Sequence, residues 1–219
     1  MTKILLNKPI LICLYGFSGS GKTFLARNLC EHIQLAHLDA DRIRGELFRN
    51  PRFDSQENAV ILHLMNYLAE SLLTAGVSVI YDINVQRAGQ RSRLRQLALK
   101  HRAAYLLVWL QIDTDSAYER TQRRDKRTYD DKYAQPHSKQ SFEQAVANMQ
   151  NPKDEEYLVI SGKHAFVTQK STLINRLYQT GLVASTVVQQ NIAKPGLVNL
   201  VPNPAAGRVD LSRRNISIT

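Results

Sequence analysis

Gly16-Phe17-Ser18-Gly19-Ser20-Gly21-Lys22-Thr23 satisfies every fixed position of the pattern G-x-x-x-x-G-K-[ST]. Before it, Pro9-Ile10-Leu11-Ile12-Cys13-Leu14-Tyr15 reads as a strand buried on both faces, and behind it Phe24 to Ile33 repeats apolar residues at helical spacing. Glycines let successive N–H groups turn toward one point, and a helix N-terminus adds partial positive charge there. Such a loop surrounds phosphate. Gly16, Ser18, Gly19, Ser20 and Gly21 form the cradle, Lys22 reaches the outer phosphates of a nucleoside triphosphate, and the Thr23 hydroxyl ligates Mg2+. ATP and Mg2+ are the expected ligands.

Working outward, Leu35-Ala36-His37-Leu38-Asp39-Ala40-Asp41-Arg42-Ile43-Arg44 reads as a short strand that ends in acids and opens a helix. In a parallel sheet, ligands lie beyond the carboxyl ends of the strands, so this group faces the same crevice as the glycine loop. Asp39 is assigned to a Mg2+-bound water and Asp41 to the proton of an attacking hydroxyl. Arg44, a turn beyond Asp41, holds an anion on the acceptor or orients the base. The plainer alternative is that Asp41 caps the helix. Asp54-Ser55-Gln56-Glu57 reads as a capping box before a long amphipathic helix ended by Gly76, with residues 45–58 as a mobile or substrate-facing connection. Val77 to Asp82 is another buried strand. Asp82 either supports Mg2+ or, with Asn84, buttresses Arg44 or the acceptor sugar from the far side of the crevice, and the second use is favoured.

Gln86 to Arg102 reads as an arginine-rich helix, Tyr105 to Ile112 as a fourth strand, and Asp113 as the cap of a helix continuing through Arg120, Arg124 and Arg127. Arg120 and Arg124, four apart, are expected on one face, closing over the phosphates as the arginines of a lid at about 120–140. Ser141 is expected to cap a short helix to Met149, Glu156 to Gly162 to form a fifth strand, and Ser171 to Gln179 to form the last helix. From Ala184 the composition changes, with Pro195, Pro202 and Pro204 interrupting Val and Leu pairs. Residues 1–183 are read as one domain, and 184–219 as an extended arm that lies on the surface or docks a protein or nucleic-acid partner.

Composition narrows the class. At 219 residues the chain fits one α/β domain. Cys13 and Cys30 have neither metal spacing nor a disulfide framework, and no run approaches the ~18 apolar residues of a membrane span, so a cytoplasmic protein without membrane contact is expected. The net charge of +10 is uneven: residues 84–139 hold thirteen basic against six acidic side chains, and 180–219 hold four against one. Such a field suits a polyanionic acceptor; alternatively, Arg91, Arg93, Arg95, Lys100 and Arg102 are a solvated helix face.

From Ile10 to Lys163 the chain resembles the P-loop kinase family that includes the 5′-kinase domain of phage polynucleotide kinase and the zeta-toxin-like kinases. The glycine loop at 16–23, Asp41-Arg42-Ile43-Arg44, Asp82-Ile83-Asn84, and Arg120 with Arg124 carry the resemblance. It implies a general base at Asp41, an acceptor-phosphate arginine at Arg44 steadied by Asp82, lid arginines at Arg120 and Arg124, and sheet order 2-3-1-4-5. The loop and Leu38 to Arg44 are also similar to adenylylsulfate kinase, whose later Phe-Thr-Gly motif is absent. The expectation is a P-loop NTPase of three-layer α/β/α class with a five-stranded parallel sheet. Its expected activity is transfer of the γ-phosphate of ATP to an alcohol, a 5′-hydroxyl of nucleic acid or nucleotide first. A small-molecule acceptor, or a non-catalytic ATP-dependent switch, are the alternatives.

Overall fold

Alternation along the first strand decides the layering. The computed structural model describes residues 3–125, 127, 132–184 and 187. In chain order the strands are β1 (Ile10–Tyr15), β2 (Ala36–Asp39), β3 (Val79–Asp82), β4 (Ala104–Gln111) and β5 (Tyr157–Ser161). They form one sheet in the order β2-β3-β1-β4-β5, and every pair is parallel. β1 is central and buried along its whole length. Ile10, Ile12 and Leu14 enter one core, while Leu11, Cys13 and Tyr15 enter the other, as the period of two requires.

Helices cover both faces. They are α1 (Lys22–His32), α2 (Ala40–Leu47), α3 (Ser55–Thr74), α4 (Ala88–Lys100), α5 (Thr114–Gln122), α6 (Lys139–Ala147) and α7 (Phe166–Gln179). α1 and α7 bring Leu25, Leu29, Leu173 and Leu177 to the first core. α3 and α4 bring Ile61, Met65, Ala69, Leu73, Leu94 and Ala98 to the second. Spacings of four keep the α3 residues on one stripe, and burial of each large side chain contributes roughly 1.5–3 kcal/mol. The strand order reverses at β1, whose carboxyl end lies between those of β3 and β4. A crevice forms there, and the glycine loop leaves β1 directly into it.

Several local expectations change. α6 is capped by Ser138, which accepts from the Ser141 amide, so the cap lies three residues before the expected one. α7 begins at Phe166, five residues before expectation. Asp54 does cap α3 by accepting from Glu57 N, but the Glu57 carboxylate accepts from the amides of Arg52 and Phe53 instead of closing the box on Asp54. Of the 184–219 arm only Ala184 and Val187 are among the described residues, and the 120–140 lid is described without residues 126 and 128–131.

The arginine-rich helix contains the largest departure. Arg91, expected in solvent, is 0% exposed. Its Nη2 and Nε donate to Glu155 at 2.7 and 3.0 Å, its Nη1 to the carbonyls of Val85 and Gln86, and its guanidinium lies 5.2 Å from the Tyr15 ring centre. Glu155, in the loop before β5, thereby joins the sheet edge to α4. Arg93 and Lys100 remain exposed, so the solvated-face reading holds for them and fails for Arg91. Removing one partner strands a buried charge: Glu155→Ala should lower stability by about 3 kcal/mol, read by urea denaturation. A loss under about 0.5 kcal/mol would show that water replaces the pair.

Candidate active site

The glycine loop takes its shape from two close contacts. Gly19 sits at φ +82, and a Cβ there would lie 2.1 Å from the Ala117 carbonyl oxygen of α5, so no other residue fits. Ser20 closes the turn by donating its amide to Phe17 O at 3.1 Å. Its hydroxyl, expected in the phosphate cradle, is buried without a hydrogen-bond partner among the described residues and lies against Gly16. Gly16 is likewise buried and shapes the turn, while Ser18, Gly19, Gly21, Lys22 and Thr23 line the cleft.

Lys22 Nζ folds back onto the carbonyls of Gly16 and Phe17, at 2.9 and 2.8 Å. Burial lowers its pKa to about 8; Asp82 and Asp41 oppose that shift and Arg124 adds to it. A half-buried ammonium that, among the described residues, is held by neutral carbonyls, beside amides opened by glycines, suits a phosphate group.

The second wall is built where β2 runs directly into α2. Asp39 Oδ1 accepts from the amides of Asp41 and Arg42 at 3.0 and 3.1 Å, so Asp39, not Asp41, caps the helix. The Asp41 carboxylate is thereby spared and lines the cleft with Lys22 and Thr23. Burial and then the charge of Asp82 raise its pKa, against Arg44, Arg124 and Lys22.

Register sets Asp82 beside Asp39, and its Oδ2 meets His37 Nε2 at 3.0 Å. Asp82 therefore does not buttress Arg44, contrary to expectation. Arg44 is 4% exposed and turns toward the start of α3, where it donates to Glu57 Oε2 at 3.4 Å and Asn58 Oδ1 at 2.7 Å. Phe53, held at φ 56 with its amide on Glu57, places its ring 4.8 Å from the Arg44 guanidinium. Burial pushes the Glu57 carboxyl up, but the donors from Arg52, Phe53 and Arg44 outweigh it and leave the pKa below the usual range.

The sequence reading gave no site role to His37, Glu57 or Asn58. Period-two alternation from Asp39 could have indicated His37, and the capping box could have indicated Glu57. Asn84 lines the cleft with a buried Oδ1 that has no partner among the described residues.

Arg120 and Arg124 both line the cleft, but not from one helix face: α5 ends at Gln122, and Arg124 lies in the turn beyond. Arg120 Nη1 donates to Gly162 O at 2.9 Å, and Arg124 Nη1 to Gln135 O at 2.8 Å. The whole cleft measures about 1030 Å³.

The donor set also suits a divalent cation. His37, Asp39 and Asp82 offer ligand atoms within 4.8 Å of one another, and burial together with Asp82 raises Asp39 to about 6. Thr23 lines the same cleft. The Asp39 and Asp82 carboxylates and the Thr23 hydroxyl are hard oxygen donors of the kind Mg2+ takes, with His37 holding Asp82 beside them.

That raised pKa has a definite sign in stability. The folded state holds the Asp39 proton more tightly than the unfolded chain, so the contribution is complete below about pH 4 and is lost as pH rises through about 6. Asparagine keeps the cap and removes the charge. Without metal, Asp39→Asn should therefore gain on the wild type by about 2 kcal/mol between pH 4 and 7 in paired denaturation curves. Parallel curves would place the Asp39 pKa near that of an ordinary carboxylate.

Solved structures share this fold. One is a gluconokinase from Sinorhizobium meliloti 1021, with TM-score 0.59 and 14% identity over 83% of this chain and 97% of that one. A second is the Mycobacterium tuberculosis APS kinase CysC in complex with AMPPNP and APS, with TM-score 0.56 and 20% identity over 78% and 98%. A third is Chaetomium thermophilum Kti12 in complex with ADP-AlF3, with TM-score 0.56 and 16% identity over 84% and 100%. At these identities the likeness is one of fold. No curated protein sequence matches significantly. A family model described as AAA domain matches residues 11–152, which include the glycine loop, Asp41, Asp82 and both cleft arginines. The chain belongs to the AAA domain family.

Proposed function

We propose that this protein is an ATP-dependent phosphotransferase that moves the γ-phosphate to an acceptor hydroxyl. The observation that carries the reading is Asp41: its carboxylate is not used by the helix cap and lines the same cleft as Lys22, Thr23, Arg120 and Arg124. A carboxylate with a pKa raised by burial is a better proton acceptor than an ordinary one. In the proposed reaction Asp41 takes the acceptor proton as the acceptor oxygen bonds to the γ-phosphorus and the bond to the ADP oxygen breaks. Lys22, Arg120 and Arg124 neutralise charge on the transferring group, and Asn84 offers its unpartnered oxygen to an acceptor hydroxyl. Mg2+ held by Thr23 with Asp39 and Asp82 would supply charge neutralisation at the phosphate oxygens.

A 5′-hydroxyl of nucleic acid or nucleotide is the finer reading from the motifs, and exposed Arg42 and Arg87 at the cleft support it as contacts for acceptor phosphates. One observation favours a small uncharged acceptor instead. Glu57 already neutralises Arg44 in the interior, so the arginine expected to hold an acceptor phosphate is engaged. γ-Labelled ATP with Mg2+, offered in parallel to 5′-hydroxyl oligonucleotides and to uncharged nucleosides and sugars, separates the two. Label on an oligonucleotide supports the first, and label only in the small-molecule pool supports the second. Asp41→Asn should reduce either by about 10²-fold or more while ATP binding stays within about twofold. Undiminished transfer would remove Asp41 as base, and ATP binding without any transfer would favour a nucleotide-dependent binding module.

A further inference from the structure

α2 has a glycine in its interior, where glycine costs about 1 kcal/mol relative to alanine. The space beside Gly45 is already taken. A Cβ there would lie 2.1 Å from Cδ1 and 2.7 Å from Cε1 of Tyr133. The same tyrosine donates its hydroxyl to Glu46 Oε1 at 2.9 Å. At the other end of its segment Gln122 donates to His137 O at 3.0 Å and Arg124 to Gln135 O at 2.8 Å. Residues 133–137 therefore run from the α5 side of the cleft to α2, and Tyr133, Ala134, Gln135 and His137 line it. Gly45 is four residues beyond Asp41, so the two share a face of α2 one turn apart.

We propose that Tyr133 is a positioning residue for phosphoryl transfer: seated in the notch that Gly45 leaves on α2, it ties the 133–137 segment to the helix carrying Asp41. The role rests on the reading of Asp41 as the base. An alanine at position 45 and the Tyr133 ring cannot occupy the same space, so Gly45→Ala unseats Tyr133 while improving the helix propensity of α2. Tyr133→Ala removes the ring, and Tyr133→Phe keeps the ring and removes only the bond to Glu46.

The test measures ADP production by the full chain, with the acceptor found above or with water, alongside hydrogen exchange in residues 132–137. Gly45→Ala and Tyr133→Ala should each lower kcat by about 10- to 100-fold, with KM for ATP within about twofold, and should speed exchange in that segment. Tyr133→Phe should stay close to wild type, and in the Tyr133→Ala background Gly45→Ala should lower kcat no further. Should Gly45→Ala melt early, the contrast between Tyr133→Ala and Tyr133→Phe makes the same comparison. Turnover and slow exchange retained in both Gly45→Ala and Tyr133→Ala would overturn the positioning role alone. A wild-type chain that makes no ADP under any condition would overturn the phosphotransfer reading and the role with it.

Discussion

Burial of β1 on both faces is the constraint on which the rest depends. A strand with no solvent face needs helices on either side of the sheet, and the two cores divide its side chains alternately between them. Its backbone then ends in a crevice flanked by β3 and β4, where polar groups lose water without entering the apolar core. The glycine loop is the form the chain takes in leaving that strand. Its proximity to α5 at Gly19 fixes both the loop and the helix that carries Arg120.

The cleft is electrostatically unfinished. Asp39, Asp41 and Asp82 converge from the ends of β2 and β3, and burial and mutual repulsion raise the pKa values of Asp39 and Asp41. Facing them, Lys22 is half-buried against neutral carbonyls with its pKa lowered by desolvation. Each side is held in a state that a bound ion of the other sign would relieve. Arg44 and Arg91 behave differently: each is buried beside its own glutamate, and their charges are spent on holding α3 and the loop before β5 in place.

This division explains what was legible in the residues. The strand–loop–helix unit could be read locally, because apolar period, glycine and the Lys-Thr pair act within a dozen residues. The acid residues at the ends of β2 and β3 could be read as facing the crevice, because parallel strands deliver their carboxyl ends to one edge. Which carboxylate capped α2 could not, since Asp39 and Asp41 both precede helical residues and only backbone direction distinguishes them. The partner of Arg44 was misread for a related reason. Glu57 lies thirteen residues away across a turn whose shape depends on Phe53 at φ 56.

The sequence by itself determined the fold class, the place of the phosphate loop and the set of charged residues available to it, because periodicity and short-range backbone chemistry act along the chain. Tertiary structure decided how those charges are used: Arg91 with Glu155, Arg44 with Glu57, His37 with Asp82, and Tyr133 against Gly45. These pairs join residues far apart in the chain or separated by a turn. Whether a buried charge faces a partner or an open cleft depends on sheet register and helix docking, which no local pattern encodes.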